Sequence, residues 1–158
     1  SGRHTHGVYT TSDFTYRARQ CAADGLVLVG DAYGFLDPVY SSGLLLALKS
    51  GELAADAIRE AFRAGEFTAP RLGSFGPRLA DGMESFRALI YAFYTPGFSF
   101  AEFVSKHPEH REALIRLLIG DVFRGGFDEL FESMRPFCDL PLPQSSPTAD
   151  PLSRGLLG

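Results

Sequence analysis

Between Gly30 and Gly43 the chain sets down three short groups in order: Gly30-Asp31, Asp37-Pro38 and Ser41-Ser42-Gly43. An apolar run, residues 26–29, precedes them, and a helical pattern over residues 44–64 follows. Those residue types suit a polar ligand brought against backbone. Gly30 lets the chain turn tightly at a strand end and lets a ligand approach the backbone. Asp31 then projects from the carboxyl edge of the strand, where open α/β sheets place ligands. A carboxylate there accepts from sugar-like hydroxyls and repels phosphates. Pro38 fixes its own φ and biases Asp37 to extended geometry, which stiffens the loop. The N–H groups behind Ser41-Ser42-Gly43 carry partial positive charge and suit a small anion or an electron-rich ring edge. The plainer alternative is structural: a carboxylate that pairs locally and a Ser-Gly that only caps a helix.

Other groups with chemistry are more ambiguous. His4 and His6 would point the same way from a strand, yet no third ligand accompanies them, so no metal site is read. His107 and His110 bracket a helix start and read as cap residues. Arg17 and Arg19 fall on one face of an extended segment, where a solvated face is the default over an anion contact. Tyr91, Phe93, Tyr94, Phe98, Phe100 and Phe103 are read as core in preference to a substrate tunnel. Cys21 and Cys138 form no metal spacing and fit a reduced, cytoplasmic setting.

The elements that must position these groups follow from periodicity. Val8, Thr10, Phe14 and Tyr16 alternate as a hairpin, and Ala23-Asp24-Gly25 signals a turn. Residues 26–29 are expected as a strand buried on both faces. The helix over 44–64 gathers Ala47, Gly51, Ala54, Ala55 and Ile58 on a face of small residues, with Asp56 and Arg59 paired and Gly65 at its end. Residues 66–73 read as a linker. A second helix over 75–94 has Pro77 in its first turn and a stripe of Leu79, Met83, Phe86, Ile90 and Phe93. Ser99 and Glu102 make a capping box, Pro108 opens the next helix with Leu114, Ile115, Leu117 and Leu118 as its core face, and a last helix spans residues 127–137. From Pro136 on, the sequence is rich in Pro and Ser and reads as an extended tail. The chain's 158 residues, net charge of −4 and 45% hydrophobic content suffice for a packed core and argue against nucleic-acid or anionic-membrane partners. No apolar run approaches membrane-spanning length.

Gly30-Asp31-Ala32, Asp37-Pro38, Ser42-Gly43 and the helix behind them resemble the second FAD motif of the flavin monooxygenase superfamily, which geranylgeranyl reductases and flavin-dependent halogenases share. Tyr16-Arg17, the stretch LIYAFYTPGFSFAEFVSKHPEHR and residues 119–123 are similar to the C-terminal part of halogenases acting on aliphatic or carrier-bound substrates. The resemblance implies that Asp31 holds the ribitol of FAD, and that Gly30, Asp37, Pro38, Ser42 and Gly43 line the flavin. It also implies a halide beside the backbone N–H groups of Ser42 and Gly43. The implied activity is chlorination of an organic or carrier-bound substrate: reduced flavin reacts with oxygen, chloride attacks the flavin hydroperoxide, and hypohalous acid forms. A flavin reductase is an implied partner. Reduction or hydroxylation on the same scaffold is the alternative, and a non-enzymatic helical interaction module is an alternative of another class.

The chain departs from that family by lacking G-x-G-x-x-G, the family's W-x-W-x-I-P segment and any tryptophan. It is therefore read as the C-terminal part of a longer enzyme, inactive alone and holding little flavin by itself. The expected fold is a mainly helical α+β fragment. Residues 1–65 would be the end of an FAD-binding domain, 66–138 a helical region and 139–158 the tail. A truncated sheet and the small-residue helix face would leave an uncovered apolar surface prone to self-association.

Overall fold

The structure, a computed structural model, describes residues 15–142. The hairpin expected around Val8–Thr10 and the Pro/Ser-rich end lie outside the described residues, as do His4 and His6. The described residues are mainly helical with four two-residue strands, a small α+β arrangement. Strand β1 (Tyr16–Arg17) pairs antiparallel with β4 (Gly34–Phe35), placing Tyr16 opposite Phe35. Strands β2 (Ala22–Ala23) and β3 (Leu26–Val27) form a tight hairpin around Asp24-Gly25, as the turn signal predicts.

The apolar run at residues 26–29 is not a buried strand. Only Leu26 and Val27 are extended in a ladder, and Leu26 is 53% exposed. Among the described residues its sole strand neighbour is the short β2, and two residue pairs cannot cover both faces of a strand. Val27 and Leu28 do reach the core edge, while Val29 stays exposed.

Helix α1 (Gly43–Ala64) begins directly after the Ser-Ser pair and ends at Gly65, whose φ of 68° is the left-handed C-terminal stop expected there. Asp56 and Arg59 pair at 2.8 Å. The buried stripe is Leu46, Ser50, Leu53, Ala54, Ala57 and Ala61, so the inward face is rotated from the small-residue face. Ala55 is exposed, and Ala47, Gly51 and Ile58 are half-buried.

The expected linker contains a helical turn, α2 (Ala69–Leu72), with Pro70 in its first turn, where a missing N–H costs nothing. Asp24 Oδ1 accepts from the Ala69 N–H at 2.7 Å, tying the β2–β3 turn to the start of α2. Helix α3 (Gly76–Tyr94) is the centre of the core. Leu79, Met83, Phe86 and Ile90 are inside as their spacing requires, but Phe93 is half exposed because the helix end runs out past the covering elements.

Helix α4 (Phe100–Lys106) is capped by Ser99, whose Oγ accepts from the Glu102 N–H at 3.3 Å. Pro108 opens a 3-10 turn leading to α5 (Arg111–Leu118), and α6 (Asp128–Met134) closes the described chain. On α5 only Leu114 and Leu117 are buried, whereas Ile115 and Leu118 are exposed, so one narrow stripe suffices to dock it. One apolar core joins Tyr33 and Leu36 to residues of α1, α3, α4, α5 and α6 and to Cys138. Among the described residues no helix is long and apolar enough to cross a membrane.

Candidate functional site

The Gly30-Asp31 turn sits against the second turn of α1. Val29 is extended, and Gly30 to Ala32 form one 3-10 turn with Gly30 at φ 54°. An L-residue pays for that conformation, so the glycine is required by backbone geometry. A Cβ at position 30 would also lie 3.4 Å from Ala47 Cβ. The turn is anchored by Ser50, 1% exposed, whose Oγ accepts from the Gly30 N–H at 2.8 Å and donates to the Ala47 carbonyl at 2.8 Å. With its backbone held, Asp31 is exposed, and its carboxylate has no hydrogen bond or ion pair among the described residues. The structural alternative of a locally paired carboxylate therefore has no partner here.

The Asp37-Pro38 loop is held from two sides. Asp37 is extended at φ −48° and ψ 131°, as the following proline dictates, and its Oδ1 accepts from the Val39 N–H at 3.0 Å. Tyr94 at the end of α3 donates its hydroxyl to the same oxygen at 3.2 Å. Partial desolvation and then the Asp37 carboxylate push the Tyr94 phenol above its ordinary pKa. The Asp37 N–H donates to Thr15 Oγ1 at 3.1 Å, and the Tyr16 hydroxyl donates to the Asp31 carbonyl at 2.7 Å. The adjacent residues Thr15 and Tyr16 thus fasten the Asp31 turn and the Asp37 loop to the segment that begins β1. Thr15, Ser50 and Tyr94 carry no sequence signal for this role, since each acts through one hydrogen bond to a distant segment.

At the start of α1, Ser41 takes the left-handed conformation (φ 51°) and Ser42 is already αR. Ser42 occupies the cap position but its side chain makes no capping hydrogen bond, and it is buried. The plain cap reading of Ser42 thus fails in its side-chain form. Gly43 is exposed, and a Cβ built on it would meet nothing within 4 Å. Among the described residues, the helix start therefore leaves the Gly43 backbone open, and the Ser42 side chain caps none of its first-turn N–H groups.

The remaining candidates separate. Arg17 is not on a solvated face: it reaches Glu84 at 3.2 Å, and Glu84 also takes Arg87 at 2.7 Å, a half-buried triad joining β1 to α3. Arg19 is exposed. His107 stacks on Phe103 at 4.9 Å and His110 Nε2 lies 2.7 Å from Ser133 Oγ, so both pack side chains and neither ring caps a helix. Of the six aromatics, Phe103 is buried, Phe98 and Phe100 are half-buried, and Tyr91, Phe93 and Tyr94 are exposed around the end of α3. There, a cleft of about 550 Å³ runs between α3 and the Asp37 loop.

Comparison with known proteins shows the family of the chain. The family model described as tryptophan halogenase matches residues 9–101, more than half of the chain, and the chain belongs to that family. It is 32% identical over 124 residues to a 1H-pyrrole-2-carbonyl-[peptidyl-carrier protein] chlorinase of Pseudomonas fluorescens, covering 78% of this chain and 27% of the relative. A 1H-pyrrole-2-carbonyl-[peptidyl-carrier protein] brominase of Pseudoalteromonas luteoviolacea is 34% identical over 112 residues, 71% of this chain and 27% of that protein. A digeranylgeranylglycerophospholipid reductase of Methanocella arvoryzae is 36% identical over 59 residues, 37% of this chain and 15% of the relative. The chain thus spans about a quarter of the length of the halogenase relatives it matches. These relatives are enzymes, and further matches are named as flavin-dependent halogenases.

Proposed function

We propose that this chain supplies the ribitol- and ring-facing part of the FAD site in a flavin-dependent halogenase. The observation that carries the reading is the Gly30-Asp31 turn: a backbone held at a φ of 54° that glycine adopts freely, pinned by a buried serine, and an acidic side chain left exposed and without a partner among the described residues. A protein that holds backbone this firmly while leaving the carboxylate open is arranged for ligand donors such as ribitol hydroxyls. Gly30, Asp37 and Pro38 would line the flavin, and the uncapped amides at Ser42 and Gly43 would meet the electron-rich ring edge or a halide. Bound flavin would supply the oxidising chemistry. The chain's own residues bind, orient and exclude. The substrate would be an organic molecule, free or on a carrier protein, as the names of two relatives suggest. A flavin reductase would be the electron-supplying partner, and a cytoplasmic setting suits it.

The test places the matched region in a full-length setting. A chimaera carrying residues 9–101 in place of the corresponding stretch of the Pseudomonas chlorinase should copurify with FAD. Asp31→Ala in that chimaera should weaken FAD binding about tenfold, the loss of one charge-assisted hydrogen-bond set worth about 1.4 kcal/mol. A folded but colourless chimaera, or an Asp31→Ala variant that retains FAD unchanged, would sink the reading.

A further inference from the structure

Helix α1 carries two apolar stripes, and the core uses one of them. The inward stripe runs from Leu46 to Ala61. The second is Leu44, Leu48, Gly51, Ala55, Ile58 and Phe62, which recur at alternating steps of four and three. That is the spacing of a helix that packs along its length on another helix. This second stripe is open. Leu44 is 72%, Leu48 66% and Phe62 70% exposed, Ala55 is exposed, and Gly51 and Ile58 are half-buried. A Cβ added to Gly51 would meet nothing within 4 Å, so the middle of the stripe faces free space. Large side chains thus stand toward its two ends and the smallest ones at its centre.

That order is self-complementary. A second copy of α1, turned end for end about the level of Leu53, brings Leu44 level with Phe62 of the other copy, Leu48 with Ile58 and Gly51 with Ala55. The small residues meet where the backbones come closest, and large apolar residues meet on either side. The charged flank fits the same orientation. Lys49 falls within one residue of the level of Asp56 in the other copy, whereas a parallel pair would set each against its own kind. Glu52, near the two-fold, is already neutralised in its own chain by Lys49 at 2.9 Å. Leu45 and Phe67 extend the stripe at its two ends, Phe67 through an edge contact with the Phe62 ring at 4.9 Å. With them the exposed side chains offer roughly 550 Å² per copy, so a pair would bury about 1,100 Å², just past the size a specific interface needs.

We infer that the outer stripe of α1 is the interface of a symmetric, antiparallel dimer of this chain. The inference goes beyond the FAD reading and does not rest on it. The modest area makes the dimer concentration-dependent. In melts dilute enough to hold the monomer, Leu48 is in water and its truncation is nearly silent; in concentrated melts the same truncation lowers the midpoint.

Size-exclusion chromatography with light scattering on the full chain should give twice 17.2 kDa at high protein concentration and fall to the single mass on dilution. Leu48→Glu should weaken association at least tenfold with the circular-dichroism spectrum unchanged. Ile115→Glu, on α5 and 47% exposed outside the stripe, should leave the dimer intact and so separates this interface from general stickiness. The register is read by mixing Gly51→Cys chains with Ala55→Cys chains: a disulfide should form faster between the two kinds than between chains of one kind. A monomer at high concentration would overturn the inference and leave the stripe to another part of a longer enzyme. An aggregate of no fixed size, a dimer that survives Leu48→Glu, loss of the dimer in Ile115→Glu, or faster disulfides between chains of one kind would overturn it too. Flavin retention is measured separately in the chimaera, so either reading can fail while the other stands.

Discussion

The two long helices are built for different work. Helix α3 buries Leu79, Ala80, Met83, Phe86, Ala88, Leu89, Ile90 and Ala92 and exposes large rings only at its last turn. Helix α1 is longer, yet it buries a single stripe made mostly of small residues and leaves Leu44 72% and Leu48 66% exposed in its first turns. The core is organised around α3, and α1 is half-partnered. The parts of each helix that the core uses least adjoin the candidate site: the amino end of α1 below the Gly30 turn, and the carboxyl end of α3 beside Asp37. The difference teaches that burial is divided along the length of each helix and is not uniform along it.

The sharpest break of this comparison is a pair of leucine truncations. Leu89 on α3 is 0% exposed. Leu89→Ala should lower unfolding free energy by about 3–4 kcal/mol, from lost transfer energy plus the cavity left behind. Leu48→Ala on α1 should change it by under about 0.5 kcal/mol, because its side chain is already in water. Urea melts of the two variants measure both. A large loss for Leu48→Ala would mean that the first turns of α1 are covered by another surface in solution.

How much of this was legible follows the same division. Helices α1 and α3, the capping box at Ser99 and the tight turn at Gly30 are local effects of periodicity, proline placement and glycine, and the sequence carries them directly. The burial of residues 26–29 was not legible, since four apolar residues in a row look the same whether or not neighbouring strands exist. The face of α1 was read by counting small residues, but the core takes Leu46 and Leu53 and a serine, Ser50, because the Gly30 turn needs an acceptor there. The Arg17–Glu84–Arg87 triad joins residues far apart in the chain, where no spacing rule reaches. At the candidate site, Asp31 and Asp37 were visible as types and spacing; Thr15, Tyr16 and Tyr94, which hold their loops, needed the fold.

The next effect in size concerns the turn itself. Gly30→Ala forces a Cβ into φ 54° and brings it 3.4 Å from Ala47 Cβ. The expected cost is about 1–2 kcal/mol, read as a shift in urea midpoint. Ser50→Ala removes the other support, orphaning the Gly30 N–H, and should cost about 1–3 kcal/mol. The two losses should be less than additive, because each releases the same turn. Full additivity would show that Ser50 serves α1 alone and that the turn is held elsewhere.

The smallest contrast is between two helix starts. Ser99 caps α4 with its side chain, while Ser42 stands at the start of α1 and caps nothing. Ser99→Ala should destabilise by about 1 kcal/mol, the usual worth of a cap. Ser42→Ala should be within about 0.5 kcal/mol of neutral, since it removes a buried hydroxyl that satisfies no helix N–H. A protein that only needed a stable α1 would gain from a capping geometry at position 42. Leaving the first-turn amides without a side-chain cap beside the open space over Gly43 costs stability, and on the proposed reading the electropositive edge so kept would serve a ligand. Should Ser42→Ala cost as much as Ser99→Ala in matched melts, Ser42 would be an ordinary structural cap, and the amides at Gly43 would lose their claim to a flavin or a halide.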